Sequence, residues 1–303
     1  TGGAGFIGSN LSRFLAVNGA NVVVLDNYST GRKENTLDFS SLGIELIETD
    51  VSMQQETSKY FSEVDYVFHQ AAVPRVSYSV EYPSYTTDVN IARTIKLFEA
   101  CRGSVRKIIF ASSSSVYGNV EKFPTDEETE LNPLSPYALQ KLIGEQYCKL
   151  YSELHGLETV CLRYFNVYGD NMSLEGAYKL VIPIFTQQKL NNKPMTIRGD
   201  GENKRDFTYV GDVVEANIKA GFNAKLPIFP CRGDVFNIGN GDNRSVNQLA
   251  NMIGGDSINV ESVIEPKETL ADNSKAKNII DWKPTMRIED WIENYKEEMG
   301  LWK

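Results

Sequence analysis

The sequence predicts an α/β fold built on a doubly wound parallel sheet, and three observations predict it. A glycine-rich turn opens the chain and runs into an apolar stretch at helical spacing. Short β-branched runs recur behind it. Helix-like segments separate most of those runs.

Taken in order, the chain begins TGGAGFIGSNLSRFLAV, in which Leu11, Phe14 and Leu15 fall on one helical face and Asn18-Gly19 ends the pattern. Residues 21–25 (NVVVL) read as a buried parallel strand. The same signal returns at 44–47 (IELI), 66–68 (YVF), 107–111 (KIIFA) and 159–162 (TVCL). Residues 90–102 and 138–155 read as helices between strands. After about Arg163 the alternation breaks. The polar stretch 191–205 and the Pro- and Gly-containing stretch 222–234 read as loops, 254–268 includes a short strand, and 287–299 forms an amphipathic helix. The expected division is a first domain over 1–165, also receiving about 206–222. A smaller, interleaved second domain takes 166–205 and 223–303.

Composition narrows the function classes. The chain has 303 residues, 41% hydrophobic and 23% charged, which suffices for a core without staples. Its net charge of −9 argues against nucleic acid or a membrane surface as a partner, while leaving room for a small anion in a locally positive pocket. Four scattered cysteines without a CxxC, and only two histidines, imply reduced thiols in a cytoplasmic setting and no metal site. No apolar run is long enough to span a membrane, and no secretory signal is visible.

The opening turn holds Gly2, Gly3, Gly5 and Gly8 and fits G-x-G-x-x-G. Such a motif needs one glycine for a tight turn, one for close backbone approach to a pyrophosphate, and one for helix packing. The helix start, Phe6 and Ile7, then presents free N–H groups to phosphate. Asp26 ends the next strand, where a carboxylate accepts the adenosine ribose hydroxyls and repels a 2′-phosphate. NAD is the expected cofactor.

Tyr137 and Lys141 stand at i and i+4 in SPYALQKLIGE, on one face of a helix that Ser135 and Pro136 would start. An ammonium beside a phenol lowers its pKa toward working pH, as a general base requires. Ser113 lies where the strand IIFA ends, at the carboxyl edge where open α/β sheets collect their catalytic groups.

Together TGGAGFIG, the strand-end Asp26, SSSSVYG, YALQK and LRYFNVYG resemble the extended short-chain dehydrogenases/reductases that act on nucleotide-sugars, with a Rossmann-like fold. Within them the chain is most similar to UDP-N-acetylglucosamine and UDP-glucose 4-epimerases. The resemblance implies Ser113, Tyr137 and Lys141 as catalytic hydroxyl, base and activator. It implies cofactor contacts from Gly2, Gly5, Phe6, Ile7 and Gly8, and from Asp26, Asn27, Ser29, Thr30 and Gly31 of LDNYSTG. Asp50, Val51, Gln70, Ala71, Ala72 and Asn90 follow, with Tyr164 and Phe165 lining the nicotinamide. Where dehydratases and decarboxylases of the group carry acidic residues after the catalytic hydroxyl, this chain has Ser114 and Ser115.

On the substrate side the resemblance implies a UDP-sugar held by Asn166, Ala177, Val181 and Ile182, with Arg205 on the diphosphate and Arg198 as a second candidate. An arginine fork suits bidentate phosphate binding. Thr269 occupies a position that must be small to admit an N-acetyl group. The R-x-G that usually precedes PKETLAD is absent, since the chain reads ESVIEPKETLAD. The implied activity is NAD-dependent 4-epimerisation of a UDP-sugar (UDP-GlcNAc/UDP-GalNAc, or UDP-glucose/UDP-galactose) by a homodimer. A UDP-glucuronate 4-epimerase or other UDP-sugar-modifying member of the family is one alternative, and a non-catalytic NAD-binding regulator is the second.

Overall fold

A computed structural model describes residues 1–173, 180–222, 232–262 and 265–301, without the side chains of 54–56. Helix α1 (Phe6–Val17) leaves the glycine turn and buries Gly8, Ser9, Leu11 and Ser12. Strand β1 (Val23–Asp26) pairs in parallel with β2 (Glu45–Glu48). Helix α2 (Gln54–Phe61) leads to β3 (Tyr66–His69), and α3 (Val76–Glu81) and α4 (Pro83–Thr87) follow. The helix predicted over 90–102 is α5 (Arg93–Cys101), entered through a π-helical turn, Asp88–Ala92.

Next come β4 (Lys107–Ser113), α6 (Pro136–His155) and β5 (Glu158–Tyr164). Both strands run further than the apolar runs suggested, and the extra residues pair Ser113 with Tyr164 at the carboxyl end. Pro136 occupies the first turn of α6, and the Ser135 hydroxyl accepts the Ala138 N–H. That cap contributes about 1 kcal/mol and fixes the helix start one residue before Tyr137.

Beyond β5 lie β6 (Asn166–Tyr168), α7 (Val181–Leu190), β7 (Met195–Arg198), β8 (Lys204–Tyr209) and α8 (Val210–Phe222). Then follow β9 (Arg232–Ile238), β10 (Asn243–Ser245), α9 (Val246–Ile253), β11 (Ser257–Val260), α10 (Ser274–Ile279) and α11 (Ile288–Glu298). The short strand expected within 254–268 is β11, and the expected terminal helix is α11.

The main sheet runs β3-β4-β5-β9, all parallel, and Thr1 and Gly2 tie β1 to it. The Thr1 nitrogen donates to Phe68 O at 2.9 Å and Gly2 N–H to Leu25 O at 2.9 Å. The second sheet is β10-β8-β6, and β7 pairs with β11.

Two readings of the sequence need correction. The stretch 191–205 is not a loop throughout, because its polar composition hides β7 and the start of β8, which pair with β11 and with β6 and β10. Residues 232–238, placed in the second domain, form β9 beside β5, and Ala276, Ile280 and Trp282 pack into the same core as Ile109, Val160 and Phe236. The first sheet therefore draws part of its core from the C-terminal third. Helix α8 packs on α1, β4 and β5.

Candidate active site

The glycine turn separates its tasks in space. Gly2 has φ of +70°, and a Cβ there would strike the backbone of Gln70 and Ala71. At Gly8 a Cβ would overlap the Gly2 carbonyl. At Gly5, the N-cap of α1, a Cβ would meet only Gly2 O, at 3.2 Å. No side chain caps this helix, no acid stands in its first turn, and Ser9 N–H is the first to reach back, to Gly5 O at 3.0 Å. The face that Gly5 leaves open, with the N–H groups of Phe6, Ile7 and Gly8 around it, is a cradle for a phosphate.

A cavity beside it is lined by Gly2, Asp26, Asn27, Ser29, Thr30, Asp50, Val51, Ala71 and Ala72, residues drawn from four separate sequence segments. Asp26 is buried, and its oxygens accept Ala4 N–H at 2.8 Å and Tyr28 N–H at 2.7 Å. A carboxylate has about four acceptor sites, so capacity remains for a pair of ribose hydroxyls. Gly31 is required by contact: a Cβ would stand 2.9 Å from Asp26 Oδ1 and 2.8 Å from Ala4 Cβ. Asn27 donates to Asp50 Oδ2 at 2.9 Å.

The same cavity includes Thr49, Val89 and Arg93, which the sequence reading missed. Arg93 follows Asn90 by one helical turn, a spacing that could have flagged it. Its guanidinium pairs with Asp50 and Asp88. Burial alone pushes the Asp50 carboxyl up, but the Ser52 N–H and hydroxyl and the Arg93 charge outweigh it and hold it below its ordinary range. His69 sits beneath, between Thr1 Oγ1 (2.8 Å) and Thr94 Oγ1 (2.9 Å). Burial and the charge of Lys141 keep it neutral, far below its ordinary pKa.

The reactive groups meet at the carboxyl end of β4. Ser113 is its last residue and caps a short 3-10 turn, accepting Ser115 N–H at 3.2 Å. The Ser113 hydroxyl neighbours the Tyr137 phenol and favours its ionised form. Tyr137 is anchored from below, its N–H donating to Ser79 Oγ at 3.1 Å, so α3 also holds the start of α6. Lys141 Nζ donates to Ala111 O at 2.7 Å and stands 5.9 Å from the Tyr137 ring centre.

The charge balance here departs from the expectation that Lys141 lowers the Tyr137 pKa. Burial pushes the phenol up to about 12, and the neighbouring Ser113 hydroxyl only partly offsets this. Burial likewise brings Lys141 down to about 8, against the opposing pull of Cys148, Glu145 and Cys161. The lysine is directed at a backbone carbonyl, and desolvation is the larger effect on both groups.

Other expected cofactor residues frame this point. Gln70 Nε2 donates to Tyr164 Oη at 3.0 Å, and Asn217 joins both. Phe165 is buried against Val116, Tyr117 and Ala271. The Asn90 amide is fully engaged, to Val73 N–H, Val73 O and Gln140 Oε1, and so fixes the segment after Ala72 against α6. The Ser115 hydroxyl is shielded from solvent and has no partner among the described residues.

On the other side of the site, Asn166 is exposed at the start of β6, next to Phe207 of β8. Val181 and Ile182 open α7, with the Ile182 side chain buried in the second core, which leaves only its backbone for a ligand. Ala177 lies outside the described residues. Arg205 is 13% exposed, and its guanidinium meets Glu265 at 2.8 Å and Lys204 O at 2.8 Å. Asn203 donates to the same Glu265 at 2.9 Å. The altered segment before PKETLAD thus supplies a carboxylate to Arg205. Thr269 accepts the Asp206 N–H at 3.1 Å, one residue from Arg205. Arg198 is exposed on β7, whose neighbour is β11 rather than β8.

The NAD dependent epimerase/dehydratase family matches residues 1–239. A putative UDP-glucose 4-epimerase of Methanocaldococcus jannaschii is 39% identical over 97% of this chain and 97% of its own length. Among solved structures, the UDP-N-acetylglucosamine 4-epimerase of Methanobrevibacter ruminantium M1, in complex with UDP-N-acetylmuramic acid, superposes with a TM-score of 0.88. It is 35% identical, covering 96% of this chain and 94% of that one. The UDP-glucuronic acid 4-epimerase of Bacillus cereus, with UDP-glucuronic acid and NAD, has a TM-score of 0.88 at 33% identity, covering 99% of this chain and 97% of that one.

Proposed function

We propose, from the premise that this chain belongs to the NAD dependent epimerase/dehydratase family, that it inverts the C4 configuration of the sugar in a UDP-sugar. The observation that carries the reading is the placement of Ser113 at the carboxyl end of β4 beside the buried Tyr137, with Lys141 one helical turn away. The solved relatives named above are 4-epimerases of UDP-sugars.

NAD would be held by the N–H groups around Gly5, by Asp26 at the adenosine ribose and by the cavity from Asp50 to Ala72. Bound there, NAD⁺ would supply a reversible hydride acceptor for the sugar C4 and a positive charge. Tyr137 takes the proton of the C4 hydroxyl as the C–H bond breaks, leaving a 4-keto sugar. Ser113 hydrogen-bonds the same oxygen through both steps. The keto sugar turns over in the pocket, and Tyr137 returns the proton as C4 is reduced. Lys141 keeps its charge close to the phenolate that forms transiently. Ser114 and Ser115, being uncharged, place no carboxylate there to drive elimination.

Arg205 grips the diphosphate in this reading, and the small Thr269 leaves room for an acetamido group, which favours UDP-GlcNAc and UDP-GalNAc. Leu139, Leu150 and Leu154 stand 48, 45 and 70% exposed on α6, an apolar face suited to a homodimer. Buried free thiols at Cys101, Cys148 and Cys161 fit a cytoplasmic location. The test is a substrate panel of UDP-GlcNAc, UDP-glucose and UDP-glucuronate, resolved by anion-exchange chromatography. Epimerisation of UDP-GlcNAc is expected to be fastest. Preference for UDP-glucuronate would move the reading to the hexuronate branch, and NAD binding with no turnover of any of the three would end it.

A further inference from the structure

The catalytic groups sit on two elements, β4 and α6, and their spacing is set below the site by a buried polar network that takes no part in the chemistry. Glu145, one turn beyond Lys141 on α6, is 5% exposed; Arg163 on β5 is 3% exposed. They form a bidentate pair, Nε to Oε1 at 2.9 Å and Nη2 to Oε2 at 2.7 Å. Glu145 Oε1 also accepts the hydroxyl of Ser112. Ser112 lies on β4 between Ala111, whose carbonyl holds Lys141, and Ser113, the strand's last residue, beside Tyr137.

The network continues toward the substrate side. Arg163 Nη1 donates to Tyr117 Oη at 2.8 Å, which donates to Asn237 Oδ1 at 2.7 Å. Asn237 Nδ2 in turn reaches Thr125 O at 2.9 Å and Asp272 O at 3.2 Å, three residues from Thr269. A buried pair is a costly way to gain stability, since an apolar pair of similar volume packs as well or better. What it offers instead is direction: a fork of two parallel bonds fixes angle as well as distance.

We propose that Glu145 and Arg163 are positioning residues that set α6 against β4, so that Tyr137 stays beside Ser113 and Lys141 stays under the phenol. The inference rests on the proposed epimerisation only for its kinetic readout. Hydrophobic contact alone would hold α6 on the sheet but would tolerate sliding, whereas the Ser112–Glu145–Arg163 contacts permit one register.

Three variants test it: S112A, which removes only the strand contact; E145Q, which is isosteric; and the apolar pair E145L/R163M. Crystal structures of wild type and variants read the Ser113 Oγ–Tyr137 Oη distance directly, whether or not any UDP-sugar is turned over. Steady-state kinetics read its consequence. The expected result is a folded apolar pair in which that distance is longer than in wild type. In it kcat falls on the order of tenfold to a hundredfold, as misplacement by about an ångström would produce, while KM and bound NAD stay near wild type. S112A should show a smaller fall of the same kind.

E145Q adds a signature that packing alone would not give. The groups facing Lys141 are Tyr137, Glu145 and Cys148 on its own helix, Ala111 O and the Phe110 ring on β4, Cys161 on β5 and His69 on β3. Of these, ionised Glu145 supports its charge, so E145Q should move the alkaline limb of the rate profile to lower pH. Wild-type kcat in the apolar pair, or an unchanged Ser113–Tyr137 distance in its structure, overturns the inference. Should that variant fail to fold, an unchanged distance and kcat in S112A overturn it. An inactive wild type would refute the proposed function and leave the structural comparison to decide this one.

Discussion

Two alanine substitutions in one turn should have opposite effects, because Gly5 and Gly8 face different neighbours. At Gly8 an added Cβ would overlap the Gly2 carbonyl and crowd Gly3 Cα. Both are backbone atoms that no rotamer change can move. Overpacking of this kind costs about 1–3 kcal/mol, and a fixed carbonyl places Gly8→Ala at the upper end. At Gly5 the backbone is extended, φ −76° and ψ 175°, which alanine adopts freely, and the only contact is Gly2 O at 3.2 Å. Loss of the glycine N-cap preference, up to about 1 kcal/mol, is offset by the roughly 0.4–1 kcal/mol gained by restricting the unfolded chain. Gly5→Ala should therefore melt near the wild type. Its methyl instead fills the open face at the start of α1, and the same steric cost falls on NAD affinity, roughly tenfold to a hundredfold. Thermal unfolding and calorimetric titration of NAD into stripped protein separate the two. If Gly8→Ala melts like wild type, or Gly5→Ala binds NAD like wild type, the assignment of roles in the turn is wrong.

Burial pushes the Asp206 carboxyl up to about 6, despite N–H groups from Ala271, Gly241 and Asn240. Its folded pKa lies above the unfolded value of 3.8, so the folded state binds the proton more tightly and stability falls as pH rises through this window. At about 1.4 kcal/mol per unit the loss is about 3 kcal/mol between pH near 4 and pH near 6. Urea unfolding across that range should show the slope in wild type and not in Asp206→Asn, and equal slopes would count against it. Glu265→Gln should release Arg205 and tighten UDP binding several-fold at low salt, by titration calorimetry; weaker binding would show that Glu265 itself serves the ligand.

Legibility followed the range of the interactions. The glycine turn, Asp26 and the Tyr137–Lys141 spacing are local, and their chemistry is written in a few adjacent residues. Ser79 and Asn217 were missed because they reach the site only through packing of helices distant in sequence, whereas Arg93 could have been flagged by its place one turn after Asn90. The network below Ser113 was missed for the same reason, since Glu145 and Arg163 each read as ordinary charges until β5 and α6 are brought together. The strands β7 and β8 hid in a polar stretch because their partners, β11, β6 and β10, lie elsewhere in the chain. The Tyr137 pKa was misjudged because spacing reveals that Lys141 is near but not that its ammonium points at Ala111 O, nor how deeply both groups are buried.

The central claim is reversible oxidation at C4 by a Tyr137 base, and an isotope label tests it most directly. UDP-GlcNAc carrying deuterium at C4 is converted in ordinary water and the product examined by mass spectrometry and NMR. The account predicts UDP-GalNAc with the deuterium still at C4, formed by wild type and lost almost wholly in Tyr137→Phe. Exchange of the label with solvent, or conversion by Tyr137→Phe at the wild-type rate, would contradict it.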